Sequence, residues 1–309
     1  MSGRIIISVT YSSLCRNYSY CFFVFKAFAI IAHLQLQPKQ SYCSLLISDS
    51  SMQAMVNIAL RAARSAAEAL IQTSDRLDRI RVIDSDPSNF VSSADEEAES
   101  TIIYHLHKAF PQHSIRTRLG ENIEGTAGEP TWLVDPLVGS LNFSRGIDPY
   151  GIVIACEIEG SVAHSVLLIP ALNEEFTASR GTGAQLNNRR IRVSAEKKAE
   201  YPMFALDAEI NSAQLSAFIS TLNINSASFR MSGCCAIDMA NTAAGRFSGG
   251  WCINRGSIWQ TAVKLLLTEA GSLLGTEDGN PDISASSELI FAGPKVFKTL
   301  VKLRQSVAQ

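Results

Sequence analysis

This chain of 309 residues has no uninterrupted apolar run of the ~20 residues that a membrane-spanning helix needs. It also has no CxxC spacing among its seven cysteines, and Cys234 and Cys235 are adjacent, which suits neither a zinc ribbon nor a disulfide framework. The thiols read as reduced and mostly buried, in a cytoplasmic protein. No charge of one sign dominates: Lys and Arg number 27, Asp and Glu 29, for a formal net charge of −2. That balance excludes a protein that coats nucleic acid through its overall charge. A dinucleotide-binding loop is excluded at Gly181-Thr182-Gly183, where the third glycine is missing and a strand-like Gln-Leu segment follows instead of a helix. What is present is a 46% hydrophobic composition, enough to bury a large core.

Residues 1–51 differ from the rest. Tyr20 to Leu34 is apolar but interrupted by Lys26, and no small-x-small cleavage site ends it. Two readings compete: a targeting segment, or an upstream extension with Met52 or Met55 as the working start. The second is preferred because a regular helical pattern begins just after Met55. Residues 1–51 are therefore expected to be a poorly ordered or non-native extension, and 52–309 the functional domain, with no membrane association.

From Met55 to about Ile80, Ile58, Ala59, Ala62, Ala63, Ala66 and Leu70 recur at helical spacing. A Pro87-Ser88-Asn89 break precedes a second helix through Phe110, which Ser93 and Glu96 are expected to open as a capping box, with Ile102, Ile103, Leu106 and Phe110 inward. His105 and His107 on this helix point in different directions and read as solvated. Gly151 to Glu159 and Ser161 to Pro170 form a hairpin at Gly160, and 174–184 reads as antiparallel strands about a glycine turn. Strands at 204–207, 229–231 and 289–293 alternate with helices at 211–222, 235–245, 258–270 and 295–307. This alternation, without internal repeats, predicts a layered α/β architecture.

Residues 132–143, Trp-Leu-Val-Asp-Pro-Leu-Val-Gly-Ser-Leu-Asn-Phe, read as a strand delivering Asp135 to a Gly139-Ser140 turn that opens a helix. A carboxylate at a strand end beside a nest of backbone N–H groups suits a divalent cation held against a phosphate. The run resembles the Asp-Pro-(Ile/Leu)-Asp-Gly-(Thr/Ser) signature of the inositol monophosphatase family, with Val138 in place of the second Asp. The resemblance extends from about Met55 to Val301 and is closest to the bacterial SuhB type. It includes the helix from Met55 to Arg64, Pro111-Gln112-His113, Phe176 to Asn187, Ala243-Ala244-Gly245-Arg246 and Thr268-Glu269-Ala270-Gly271. It implies a layered α-β-α-β-α sandwich of the inositol monophosphatase and sugar phosphatase type, often dimeric, here as a homodimer.

The resemblance further implies Mg²⁺-dependent hydrolysis of inositol 1-phosphate. The metal ligands would be the first Glu of a Glu-Glu pair, the two Asp of the signature and the Asp of a late Trp-Asp step, because several carboxylates are needed to collect positive charge on the phosphate. Ungapped alignment puts Arg118 and Leu119 at the Glu-Glu pair, and the Trp-Asp step reads Trp259-Gln260. A register slipped by three residues would instead place Glu121 there, with Asn122 beside it. In the ungapped reading Asp135 is the one surviving ligand and Arg118, Val138 and Gln260 are degenerate positions. The formal charge shifts by about +4, which repels a cation by several kcal/mol at ~4 Å with an effective dielectric of ~20. Arg118 is expected to satisfy Asp135 as an internal ion pair.

Other parts persist. Asp95 matches an acidic residue that helps order the catalytic water in the family, and Ser140 keeps the hydroxyl of the motif's Thr. Gly139 and Ser140 could cradle phosphate, although capping and turn formation would preserve all three without any function and is the preferred reading. Cys252 stands near a position where relatives carry a substrate-contacting Glu. The expected protein has this fold, weak or absent Mg²⁺, and little phosphatase activity. Resemblance to the SuhB type implies partners in transcription antitermination, RNA polymerase and NusA. The alternative is an active phosphatase.

Overall fold

The computed structural model describes residues 41–193, 202–207, 209–223, 226–284 and 286–307, with 41–52, 88 and 223 by backbone alone. The apolar run from Tyr20 to Leu34 lies outside the described residues. Contacts divide the chain into Met1–Ser50 and Ser51–Gln309, and the site lies in the second unit. Among the described residues no helix is long and apolar enough to cross a membrane.

Alternation along the strands sets the layers. A seven-stranded sheet is ordered β3 (Ser114–Thr117), β4 (Thr131–Val138), β5 (Gly151–Ile158), β6 (Ser161–Ile169), β7 (Glu174–Ser179), β8 (Gly183–Leu186) and β9 (Arg189–Ile191). Its first pair is parallel and the remaining pairs are antiparallel. Successive side chains on a strand point to opposite faces. Trp132, Val134, Ile152, Ile154, Val166 and Leu168 accordingly pack in one cluster with α1 (Ser41–Ser74) and α2 (Ser93–Ala109). Leu133, Val153, Ala155, Leu167 and Ile169 join a second cluster with α5 (Cys235–Ala243) and α6 (Ile258–Glu269).

The same rule builds the other half. A five-stranded sheet is ordered β11 (Ser228–Arg230), β10 (Met203–Leu206), β12 (Gly249–Ile253), β14 (Glu288–Ala292) and β13 (Leu273–Gly275). Ala205, Cys252, Leu289 and Phe291 face α5 and α6, whereas Phe204, Leu206, Trp251 and Ile290 face α4 (Ser212–Asn223) and α7 (Pro294–Ser306). Two helices, seven strands, two helices, five strands and two helices follow in order, the α-β-α-β-α sandwich expected. Each layer buries apolar area worth about 25 cal/mol per Å².

Three local expectations need correction. Helix α1 begins at Ser41 and ends at Ser74, before a short turn at Leu77–Arg79. The box that opens α2 is Ser92 with Asp95, not Ser93 with Glu96, because the Ser93 hydroxyl instead accepts the Arg81 N–H at 3.1 Å. Strand β4 does not stop at Asp135 but continues to Val138 through a shift in register, where Pro136 needs no ladder partner. A short pair, β1 (Val82–Asp84) with β2 (Val91–Ser92), and the five-residue α3 (Ser140–Ser144) complete the surroundings of the site.

Candidate functional site

The parallel pairing of β3 with β4 sets Thr117 opposite Val134, and the Arg118 N–H extends the ladder to the Val134 carbonyl at 2.9 Å. That register places Arg118 beside Asp135. Its Nε donates to Asp135 Oδ1 at 2.9 Å and its Nη2 to Asp95 Oδ1 at 2.5 Å. Asp95 reaches the same point from α2, where its other oxygen accepts the Ser92 N–H and hydroxyl, both at 2.8 Å. Ser140 closes the group, its Oγ lying 2.5 Å from Asp95 Oδ1, 2.7 Å from the Leu137 carbonyl and 3.3 Å from Arg118 Nη2.

Both carboxylates are withdrawn from water, Asp95 at 0% and Asp135 at 1% exposure. Burial pushes the Asp135 carboxyl above its ordinary value, and the Arg118 charge and hydrogen bond act against that rise. Burial alone would lower the Arg118 pKa, but Asp135 and Asp95 together raise it, so the guanidinium stays charged. One cation between two buried anions leaves a formal charge of about −1, a setting that favours no further anion.

The remaining positions serve the fold. Val138 is buried in the apolar cluster that also holds Cys234 and Trp259. Gln260 is the third residue of α6, where its Oε1 accepts the Ser257 N–H at 2.8 Å and the Arg255 N–H at 3.1 Å. Its Nε2 donates to the Ile253 carbonyl at 3.2 Å, so the described hydrogen bonds of Gln260 fasten a helix start. Glu121 sits in the exposed turn after Leu119 and pairs with neither Asp135 nor Asp95 in any described bond. Gly139 has φ +81, and a Cβ there would lie 2.8 Å from the Pro149 carbonyl, so only glycine fits this turn without displacement. Cys252 is buried, and among the described cysteines 156, 234, 235 and 252 are all free thiols.

Reasoning from the sequence missed Glu99, a buried carboxylate one helical turn beyond Asp95 on α2. The spacing of four was the available signal. It also missed Asp238, which accepts a hydrogen bond from the Ser232 hydroxyl at 2.7 Å and whose pKa burial raises to about 7, with Asp207 adding to the rise.

A sequence profile described as the inositol monophosphatase family matches residues 51–309. The chain belongs to the inositol monophosphatase family. It is 37% identical over 258 residues to the Nus factor SuhB of Pseudomonas aeruginosa, covering 81% of this chain and 95% of that protein. The crystal structure of the extragenic suppressor protein SuhB from Bartonella henselae superposes with a TM-score of 0.76 at 30% identity, over 82% of this chain and 98% of that one. An IMPase/NADP phosphatase solved with Mg²⁺ and phosphate shares the fold at 19% identity and a TM-score of 0.69, over 82% of this chain and 95% of that one. The chain is a SuhB-type member of the family.

Proposed function

We propose that this chain is a SuhB-type protein that has lost Mg²⁺-dependent phosphatase chemistry and acts through protein contacts, in transcription antitermination with Nus factors and RNA polymerase. The observation that carries this reading is the Arg118 guanidinium bonded to both Asp135 and Asp95. The residues do not fit Mg²⁺, a hard cation that takes oxygen ligands in near-octahedral geometry. Arg118 supplies a positive charge, Val138 supplies no donor, and the Gln260 oxygen is committed to two backbone N–H groups. Asp135 alone remains of the ligand set, and Glu121 shares no described bond with the group around Arg118.

Asp95 and Ser140 persist as the remnant of the catalytic pair, and they now brace Arg118. Gly139 and Ser140 are the remaining candidates for holding a phosphate or inositol phosphate, although the negative balance of the neighbouring charges weakens that role. Support for the partner reading comes from relatives named Nus factor SuhB. A homodimer in the cytoplasm, built from residues 52–309, completes the proposal.

Phosphate release from inositol 1-phosphate with Mg²⁺ present tests the loss. Turnover far below ~1 s⁻¹, the low end of ordinary enzymes, is expected, and turnover near that value would restore the phosphatase reading. Pull-down against RNA polymerase and NusA tests the contact role. Enrichment over a folded control is expected, and its absence counts against that role.

A further inference from the structure

The Cys252 side chain leaves β12 toward the core that α5 covers, and α5 begins at Cys235. Their thiols share a hydrogen bond, and Cys235 Sγ also donates to Asp207 Oδ2 at 3.4 Å. The same carboxylate oxygen accepts the Ile253 N–H at 3.3 Å and faces Arg255 Nη1 at 3.5 Å. It thereby fastens the backbone beside Cys252 to the Cys235 thiol. The other described cysteines turn elsewhere. Cys234, although adjacent in sequence, packs near Gly139 in the cluster that holds Val138 and Trp259. Cys156 lies in the cluster on the other face of the seven-stranded sheet, its sulfur 4.0 Å from Met55 Sδ.

Exposure within the pair is unequal, Cys252 being buried and Cys235 half-buried. That is the arrangement of a thiol that meets an oxidant and a resolving thiol enclosed behind it. The Cys252 hydrogen bond, burial, and the Asp207 and Asp238 charges hold the Cys235 thiol well above its ordinary value, so the pair rests protonated and reduced. Attack requires loss of that proton, and Asp207 Oδ2 already accepts it as a hydrogen bond. We infer that Cys235 and Cys252 are an oxidation site, closed by a hydroperoxide into an intramolecular disulfide that ties α5 to β12. The Cys235 sulfur attacks a peroxide oxygen and the O–O bond breaks. The thiol proton passes through Asp207 to the departing oxygen, which leaves as water or an alcohol, and Cys235 becomes a sulfenic acid. The Cys252 sulfur then displaces the sulfenic hydroxyl, which leaves as water with the Cys252 proton. Two electrons have moved from the thiols to the O–O bond, and an external dithiol returns them. The site uses neither Arg118 nor Asp135, so its failure would leave the reading of that ion pair untouched.

The test is to treat the folded full chain with hydrogen peroxide, alkylate the remaining thiols in denaturant, and map its peptides by mass spectrometry without reduction, fragmentation locating each bond. A Cys235–Cys252 cross-link is expected as the main product of both residues, and dithiothreitol should return both thiols. Dimedone, which traps sulfenic acids, should label Cys235 ahead of Cys252 when added with the peroxide, a readout that needs no variant to fold. In Cys252→Ser the cross-link should vanish and dimedone labelling of Cys235 should rise, whereas Cys156→Ser should leave the cross-link intact. Residues 235 and 252 still alkylated and unlinked, a bond from Cys235 to Cys234 or to a second chain in its place, or dimedone on Cys252 ahead of Cys235 would each overturn the inference.

Discussion

Arg118 carries the chemistry of this site at the scale of single residues. A guanidinium between two carboxylates is one of few arrangements that lets both remain ionised without water or metal. Removing one partner of a buried pair is far more harmful than replacing the whole pair with apolar groups. Arg118→Met should therefore cost roughly 3–5 kcal/mol in a urea melt, because Asp135 is left buried and uncompensated. Adding Asp135→Leu should recover much of that loss, since Asp95 keeps its bonds to Ser92 and Ser140. A second buried carboxylate, Asp238, gives a pH signature. Its pKa of about 7 lies above the ordinary 3.8, so folding favours the protonated form. The stability that this proton contributes is complete below the unfolded value and is lost as pH rises through the folded one. Asp238→Asn should keep the Ser232 hydrogen bond and remove the loss. Relative to the unaltered protein it should gain stability progressively between about pH 4 and pH 7, by up to roughly 4 kcal/mol, as read from urea melts across pH.

Among the elements, β4 and the turn that follows decide where everything points. The run 132–143 was legible as a strand and turn because its residue types are extreme. The continuation through Pro136 was not legible, since it depends on a register shift against β5 that no local signal announces. The same applies to α2. A serine followed three residues later by an acid occurs twice in succession, at 92 and 95 and at 93 and 96. Tertiary contact chose the first by giving the Ser93 hydroxyl to Arg81. That choice is what anchors Asp95 at the site. Gly139 is the tightest point of the turn, with its positive φ and the Pro149 carbonyl against its α-carbon. Gly139→Ala should cost roughly 2–3 kcal/mol by denaturant midpoint, combining left-handed backbone strain with displacement of that carbonyl.

Across the whole molecule, the alternation of strands and helices made the layered α/β class legible in the sequence, whereas the α-β-α-β-α order came from the family resemblance. Trp132 and Val134 on one side of β4, with Leu133 on the other, already separate two cores. The site was only partly legible. Arg118 could be placed beside Asp135 because ungapped alignment sets both at ligand positions of the family's metal site, and the parallel β3–β4 register is what delivers it there. The capping work of Gln260 was signalled by Ser257 three residues before it and went unread, whereas its further bonds to Arg255 and Ile253 depend on the backbone of residues 253–257 folding back over the helix start. Val138, Arg118 and Gln260 are thus engaged in three separate ways, in apolar packing, in an ion pair and in a helix cap. The most direct measurement is calorimetric titration of Mg²⁺ into the unaltered chain and into the triple variant Arg118→Glu, Val138→Asp, Gln260→Asp, in which aspartate at 260 can still cap the helix. No saturable heat up to ~10 mM is expected from the first, and binding from the second. Stoichiometric Mg²⁺ binding to the unaltered chain, undiminished beside Arg118, would contradict the replacement of the metal by that guanidinium.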